Sequence, residues 1–216
     1  LKSGYRPTSF EDTWVVVSDK VCGLHEVEAR ALWNNLQKIN PSEFVEIGRN
    51  LGGGLFFMTC ACPSVGTIES FDIKEYPLTD VAFKTWFKTN GISILLETID
   101  SADIDIEFGG VCDFVWVDGG HTGEAIKADI EIWQDHCEYI GFHDYADNRG
   151  KNKHKRYYPD VVKEISEAAD QYGWKPFGER GRSDIIFKTD NASTLSRVSE
   201  ADWGGEDDGD TDWNFQ

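Results

Sequence analysis

The spacing of apolar positions changes several times along the chain, and each change marks an element. Val27, Ala31, Leu32, Leu36 and Ile39 recur at helical spacing and Asn40-Pro41 ends the pattern, which predicts an amphipathic helix over residues 25 to 39. Upstream, the irregular polar start is followed by a short apolar run, Trp14 to Val17, that suits either a strand or the entry of a helix. Phe44 to Ile47 then reads as a short strand ending at Gly48, followed by the cluster Gly52-Gly53-Gly54 and an apolar helical segment, Leu55 to Ala61. Further strands are predicted at Thr67 to Ile73, Ile92 to Ile99, Asp113 to Asp118 and Tyr139 to His143, with helices at 79 to 89 and Gly123 to Trp133 between them. A helix near Pro159 to Tyr172 precedes two short strands, Trp174 to Phe177 and Ser183 to Lys188, close enough to form a hairpin.

Strands alternating with helices at this spacing imply βαβ units. The expected fold is therefore α/β: a single Rossmann-like, doubly wound, mainly parallel seven-stranded sheet with both faces covered and an antiparallel last strand. A chain of 216 residues suits one such domain. We expect an N-terminal extension over 1 to 24, the main domain over 25 to 189, and an acidic tail over 190 to 216, which holds seven acids from Glu200 onward and no Lys or Arg.

Composition narrows the partners. With 39 acidic against 21 basic residues, a net charge of −18 repels polyanions, so nucleic acid is a poor expectation; no apolar run suggests a membrane span. Five cysteines, Cys22, Cys60, Cys62, Cys112 and Cys137, are odd in number and irregular in spacing. Reduced thiols and a cytoplasmic location are expected from them. Leu1 in place of Met suggests a processed start or an excised piece, leaving further domains of a longer parent chain as possible partners.

In open α/β sheets ligands bind at the carboxyl ends of the strands. There the sequence places the glycine turn Gly48 to Gly54, Asp72, Asp118 to His121, and His143 with Asp144. Glu46, just before the turn, would repel a pyrophosphate and suit a cationic amine, and Asn50 stands where a dinucleotide fingerprint has its second glycine. Asp72 closes strand two, where a carboxylate accepts hydrogen bonds from ribose hydroxyls. An adenosine joined to an amino acid fits better than a dinucleotide. Asp118, His143 and Asp144 form a hard-ligand group suited to Mg²⁺ or Mn²⁺.

From about Glu43 to Lys188 the chain resembles the class I S-adenosylmethionine-dependent methyltransferases. The run Asp113 to Asp129 with Ile140-Gly141-Phe142-His143-Asp144-Tyr145 is similar to the branch containing macrolide-sugar O-methyltransferases and cephalosporin hydroxylase-like proteins. The resemblance implies S-adenosyl-L-methionine as cofactor, with Glu46 at its ammonium, Asp72 at its ribose, Asp100 and Ser101 at its adenine, and Gly48, Asn50, Gly53 and Asp118 around it. It further implies a divalent metal at Asp118 and Asp144, His143 standing where an acid is usual, and His121 as the base that deprotonates a sugar or glycoside hydroxyl. Competing expectations are a nucleic-acid, cap or small-molecule methyltransferase, a hydroxylase-like cousin, and a non-catalytic methyltransferase-like binding module of a larger protein. The basic run Arg149, Lys151, Lys153, Lys155 and Arg156 suits a solvated loop or a lid over an acceptor, with Tyr157 and Tyr158 free to stack on a sugar ring.

Overall fold

The computed structural model describes residues 5–104, 111–145, 158–181 and 183–190, without the side chains of 19–22. The basic run 149–156, Tyr157 and the tail beyond 190 lie outside the described residues. Seven strands form one sheet: β1 (Glu43–Ile47), β2 (Thr67–Asp72), β3 (Ser93–Thr98), β4 (Cys112–Val117), β5 (Cys137–Phe142), β6 (Lys175–Pro176) and β7 (Ile185–Lys188). Their order is β3-β2-β1-β4-β5-β7-β6, with β1 to β5 parallel and β7 antiparallel to both its neighbours. The expected architecture is the one observed.

Because the order reverses between β1 and β4, the chain leaves these adjacent strands in opposite directions and opens a crevice at their carboxyl ends. β4 is buried along nearly its whole length, which accounts for its unbroken apolar run, Phe114 to Val117. On one face, α1 (Phe10–Cys22), α2 (Glu26–Ile39), α3 (Gly53–Ala61) and α4 (Pro77–Thr89) cover Phe44, Ile68, Phe114 and Trp116. On the other, α5 (Gly123–Trp133) and α6 (Pro159–Gln171) cover Val45, Val115, Val117 and Ile140. Cys60, Cys62, Cys112 and Cys137 are buried free thiols.

Two elements differ in detail from the sequence reading. The run Trp14 to Val17 lies inside α1, whose N-cap Ser9 accepts the Asp12 amide (3.2 Å) and whose Phe10, Thr13 and Val17 form a buried stripe. Phe10 meets Trp33 and Phe57 edge to face, at 5.9 and 6.0 Å, so α1 is packed into the core. Between β3 and β4 the described residues hold only a 3₁₀ turn, Ser101–Asp103. Leu95 on β3 and Glu43 on β1 stay exposed, so the second face is covered less completely than a doubly wound pattern implies.

Candidate active site

The glycine turn is shaped by close backbone contact across the crevice. Gly48 has φ +93°, and a Cβ there would stand 2.2 Å from the Asp118 carbonyl oxygen, so only glycine lets the ends of β1 and β4 meet. Asn50 adopts φ +48°, the left-handed geometry that Asn tolerates. Its amide donates to Asp72 Oδ2 at 2.7 Å, while Oδ1 accepts the Lys74 amide at 2.8 Å. Asp72 therefore both ties the turn and presents its remaining lone pairs to a ligand.

Arg49, which sequence reasoning passed over, is a buried pin in this turn. Its guanidinium donates to the Ser70 carbonyl at 2.8 Å and pairs with Asp80 of α4, Nε to Oδ1 at 3.2 Å. Nothing in the spacing of Arg49 and Asp80 signals that pair, because α4 returns beside the turn only through the tertiary fold.

A cavity of about 650 Å³ opens over the turn. Gly48, Asn50, Asp72, Asp100, Ser101, Asp118 and His121 line it, as do Ile73, Lys74, Tyr76 and Ile99, which sequence reasoning did not single out. Asp100 caps the 3₁₀ turn through the Ala102 amide (3.1 Å). Ser101 stands beside Asp129 of α5, whose carboxyl is pushed up to about 6 by burial, with the Ser101 hydrogen bond opposing. Glu46 and Gly53 are elsewhere. Gly53 is buried at the start of α3, and Glu46 is sealed beneath the turn, 2 % exposed, accepting the Ser70 hydroxyl at 2.7 Å. Burial pushes the Glu46 carboxyl up to about 8, against the Ser70 hydrogen bond. The structure thus puts Glu46 behind the cavity wall, where the resemblance implies a contact with the ammonium.

At one end of the cavity the strand termini converge on charged groups. Asp118 follows β4, His143 and Asp144 follow β5, and one ligand atom from each lies within 4.8 Å of the others. His143 Nδ1 is 2.9 Å from Asp118 Oδ1 and 3.7 Å from Asp144 Oδ2. Burial alone would lower the His143 pKa, but the charge and hydrogen bond of Asp118, then Asp184 and Asp144, reverse that and hold it well above its ordinary value. His121 Nδ1 is 3.0 Å from Asp144 Oδ2, and that hydrogen bond raises its pKa against partial burial. The His121 ring stacks on Tyr158 at 4.7 Å and 21°, and Thr122 caps α5 directly after it through the Ala125 amide. Asp144 itself has φ +61°, uncommon outside glycine and more often met at functional positions.

This donor set fits a divalent cation: two carboxylates and an imidazole, hard donors whose ligand atoms lie within 4.8 Å of one another. The cavity likewise fits a cationic adenosyl ligand. Its wall carries Asp72, Asp100 and Asp118 against one lysine, Lys74, and the close approach at Gly48 leaves backbone, not side chain, facing the ligand.

The fold and this crevice are similar to those of class I S-adenosylmethionine-dependent methyltransferase domains. In sequence, the family described as "Methyltransferase domain" matches residues 45–145. No curated protein matches the chain. In structure it is similar to an O-methyltransferase of Bacillus cereus in complex with S-adenosylhomocysteine (14 % identity, 83 % of this chain, 89 % of that one, TM-score 0.52). It is also similar to the O-methyltransferase TomG of tomaymycin synthesis from Streptomyces achromogenes in complex with S-adenosylmethionine (9 %, 84 %, 91 %, TM-score 0.57). A third similar structure, from Staphylococcus aureus, is assigned as a caffeoyl-CoA O-methyltransferase (11 %, 83 %, 92 %, TM-score 0.56). At these identities the likeness is one of fold. Among the described residues no helix is long and apolar enough to cross a membrane.

Proposed function

We propose that the protein is an S-adenosylmethionine-dependent O-methyltransferase, assisted by a divalent cation, that methylates a hydroxyl of a small polyhydroxylated acceptor such as a sugar or glycoside. The observation that carries this reading is continuity: the cavity suited to the cofactor ends at Asp118 and His121, where the Asp118–His143–Asp144 cluster begins. Asp72 accepts the ribose hydroxyls, with Asp100 and Ser101 toward the adenine, while Gly48 and Asn50 shape the turn beneath. Asp118, Asp144 and His143 would hold a divalent cation, which when bound would lower the pKa of the acceptor hydroxyl. His121, oriented by Asp144, takes the acceptor's proton as its oxygen bonds the methyl carbon and the carbon–sulfur electron pair returns to sulfur.

Tyr158 supports the sugar assignment, because its ring lies against the base and offers a flat apolar edge beside carboxylates that accept hydroxyl hydrogens. The acidic wall disfavours nucleic acid as acceptor. The test is methyl transfer from labelled S-adenosylmethionine to a panel of glycosides, catechols and CoA thioesters, before and after chelation with EDTA. Turnover of glycosides that chelation stops and Mg²⁺ or Mn²⁺ restores is the expected result. Turnover confined to the other acceptors would replace the sugar assignment, and full activity after chelation would remove the metal.

A further inference from the structure

One buried acid near the cluster has no part in the chemistry above. Asp184, between the Gly178–Gly181 turn and β7, is 4 % exposed, and neither of its carboxyl oxygens has a hydrogen-bond partner. Such an orphaned carboxyl is costly and calls for an explanation. The far side of the His143 ring lies beside it, with Oδ1 3.7 Å from Nε2. The placement is built: Tyr145, two residues past His143, donates its amide to the Ser183 carbonyl at 2.8 Å. The Ser183 hydroxyl is held by Glu28 of α2, and Gly181 leaves room for the acid, since a Cβ there would stand 3.1 Å from Asp184 Oδ2.

We propose that Asp184 is a positioning residue that sets the tautomer of His143, keeping the proton on Nε2 so that Nδ1 faces Asp118 and Asp144 with a free lone pair for a divalent cation. The inference rests on the cation reading of that cluster and assigns a residue outside it. Two acids compete for the ring. Asp118, 2.9 Å from Nδ1, favours a proton there, which would block ligation; Asp184, on the opposite edge, favours the proton on Nε2. The tautomer that would leave Nδ1 free for a cation carries its proton on Nε2, the edge of the ring that faces Asp184. A carboxylate on the far nitrogen of a ligating imidazole fixes the ring and raises its basicity, and losing it typically costs 10- to 100-fold in metal affinity.

Mn²⁺ affinity by calorimetry, together with ¹⁴N modulation in the electron spin echo of bound Mn²⁺, tests this on the full chain. The wild type is expected to bind Mn²⁺ with an imidazole-nitrogen signal. Asp184→Asn should weaken binding about tenfold and Asp184→Leu by 10- to 100-fold, with the nitrogen signal lost in the latter and S-adenosylhomocysteine affinity unchanged within about twofold. In a His143→Ala background neither change should weaken Mn²⁺ further. If Asp184→Leu fails to fold, as its cofactor affinity would reveal, Asp184→Asn decides alone. Unchanged Mn²⁺ affinity and nitrogen signal in the Asp184 variants, or the same loss without His143, overturns the role of Asp184 and leaves the cation site standing. A wild type that binds no Mn²⁺ overturns the cation reading and this inference with it.

Discussion

A carboxyl sealed as Glu46 is holds its proton where the unfolded chain has already lost it. Its pKa in the folded protein is about 8 against 4.5 for the free group, so between those values the native state binds more protons and stability falls as pH rises. Glu46→Gln keeps a neutral acceptor for the Ser70 hydroxyl and removes the titration. Its stability advantage over wild type should therefore grow between pH 5 and pH 8, by up to roughly 1.4 kcal/mol per pH unit, as urea unfolding at the two pH values would measure. An equal difference at both would mean the carboxyl is not held neutral. His121 is raised for a different reason, its hydrogen bond to Asp144, so a rate that depends on neutral His121 should climb with pH through a midpoint above the ordinary ~6.5. His121→Ala should lower kcat by roughly 10²- to 10⁴-fold with cofactor affinity kept, and pH profiles of both proteins with matching shapes and rates would exclude it as the base. Residue types at strand ends made Asp72, Asp118, His121, His143 and Asp144 legible in the sequence. Asp184 was not, because it precedes the last strand and meets His143 only when β7 pairs with β5.

Elements were legible where periodicity was strong. β1 and β4 announce themselves by apolar runs ending in Gly48 and Asp118, and the hairpin β6–β7 by close spacing. The helix α1 was ambiguous because its buried stripe runs through Thr13 and is kinked at Ser18, φ +47°, so a four-residue apolar run concealed a longer helical pattern. The join of the glycine turn to α4 was invisible for a related reason: beside the packing of Gly52 on Phe83 it uses an ion pair, Arg49 with Asp80, whose Arg side chain is fully buried and whose Asp side chain is 18 % exposed. Removing one partner of a buried pair leaves an uncompensated charge, so Arg49→Met should cost at the lower end of roughly 3–5 kcal/mol. It should also loosen Asn50 from Asp72 and weaken S-adenosylhomocysteine binding. Adding Asp80→Asn should recover part of the stability, because the orphaned charge is then gone. A double variant as unstable as the sum of the singles would show that the pair does not couple α4 to the turn.

At the scale of the whole molecule, the sheet, the crevice and the acidic cavity wall all favour one kind of ligand, and binding it must stabilise the fold. A ligand that binds only the native state adds RT ln(1 + [L]/Kd), about 2.7 kcal/mol at a hundredfold excess over Kd. S-adenosylhomocysteine should therefore raise the melting temperature in a concentration-dependent way. NAD should not, because its pyrophosphate would lie over a turn backed by Asp72 and Asp118. Asp72→Ala removes both the proposed ribose acceptor and the tie to Asn50, so it should lose about 1–3 kcal/mol of binding and most of the ligand-induced shift. Asp144→Ala, outside the cavity wall, should leave the S-adenosylhomocysteine shift nearly intact while abolishing turnover. That contrast separates a cofactor site at the β1–β2 end of the crevice from a reacting end at β4–β5. Thermal melts of the three proteins, each with S-adenosylhomocysteine and with NAD, check it directly. A larger shift with NAD than with S-adenosylhomocysteine would overturn the cofactor assignment, and equal loss in both variants would show that the crevice does not divide its labour in this way.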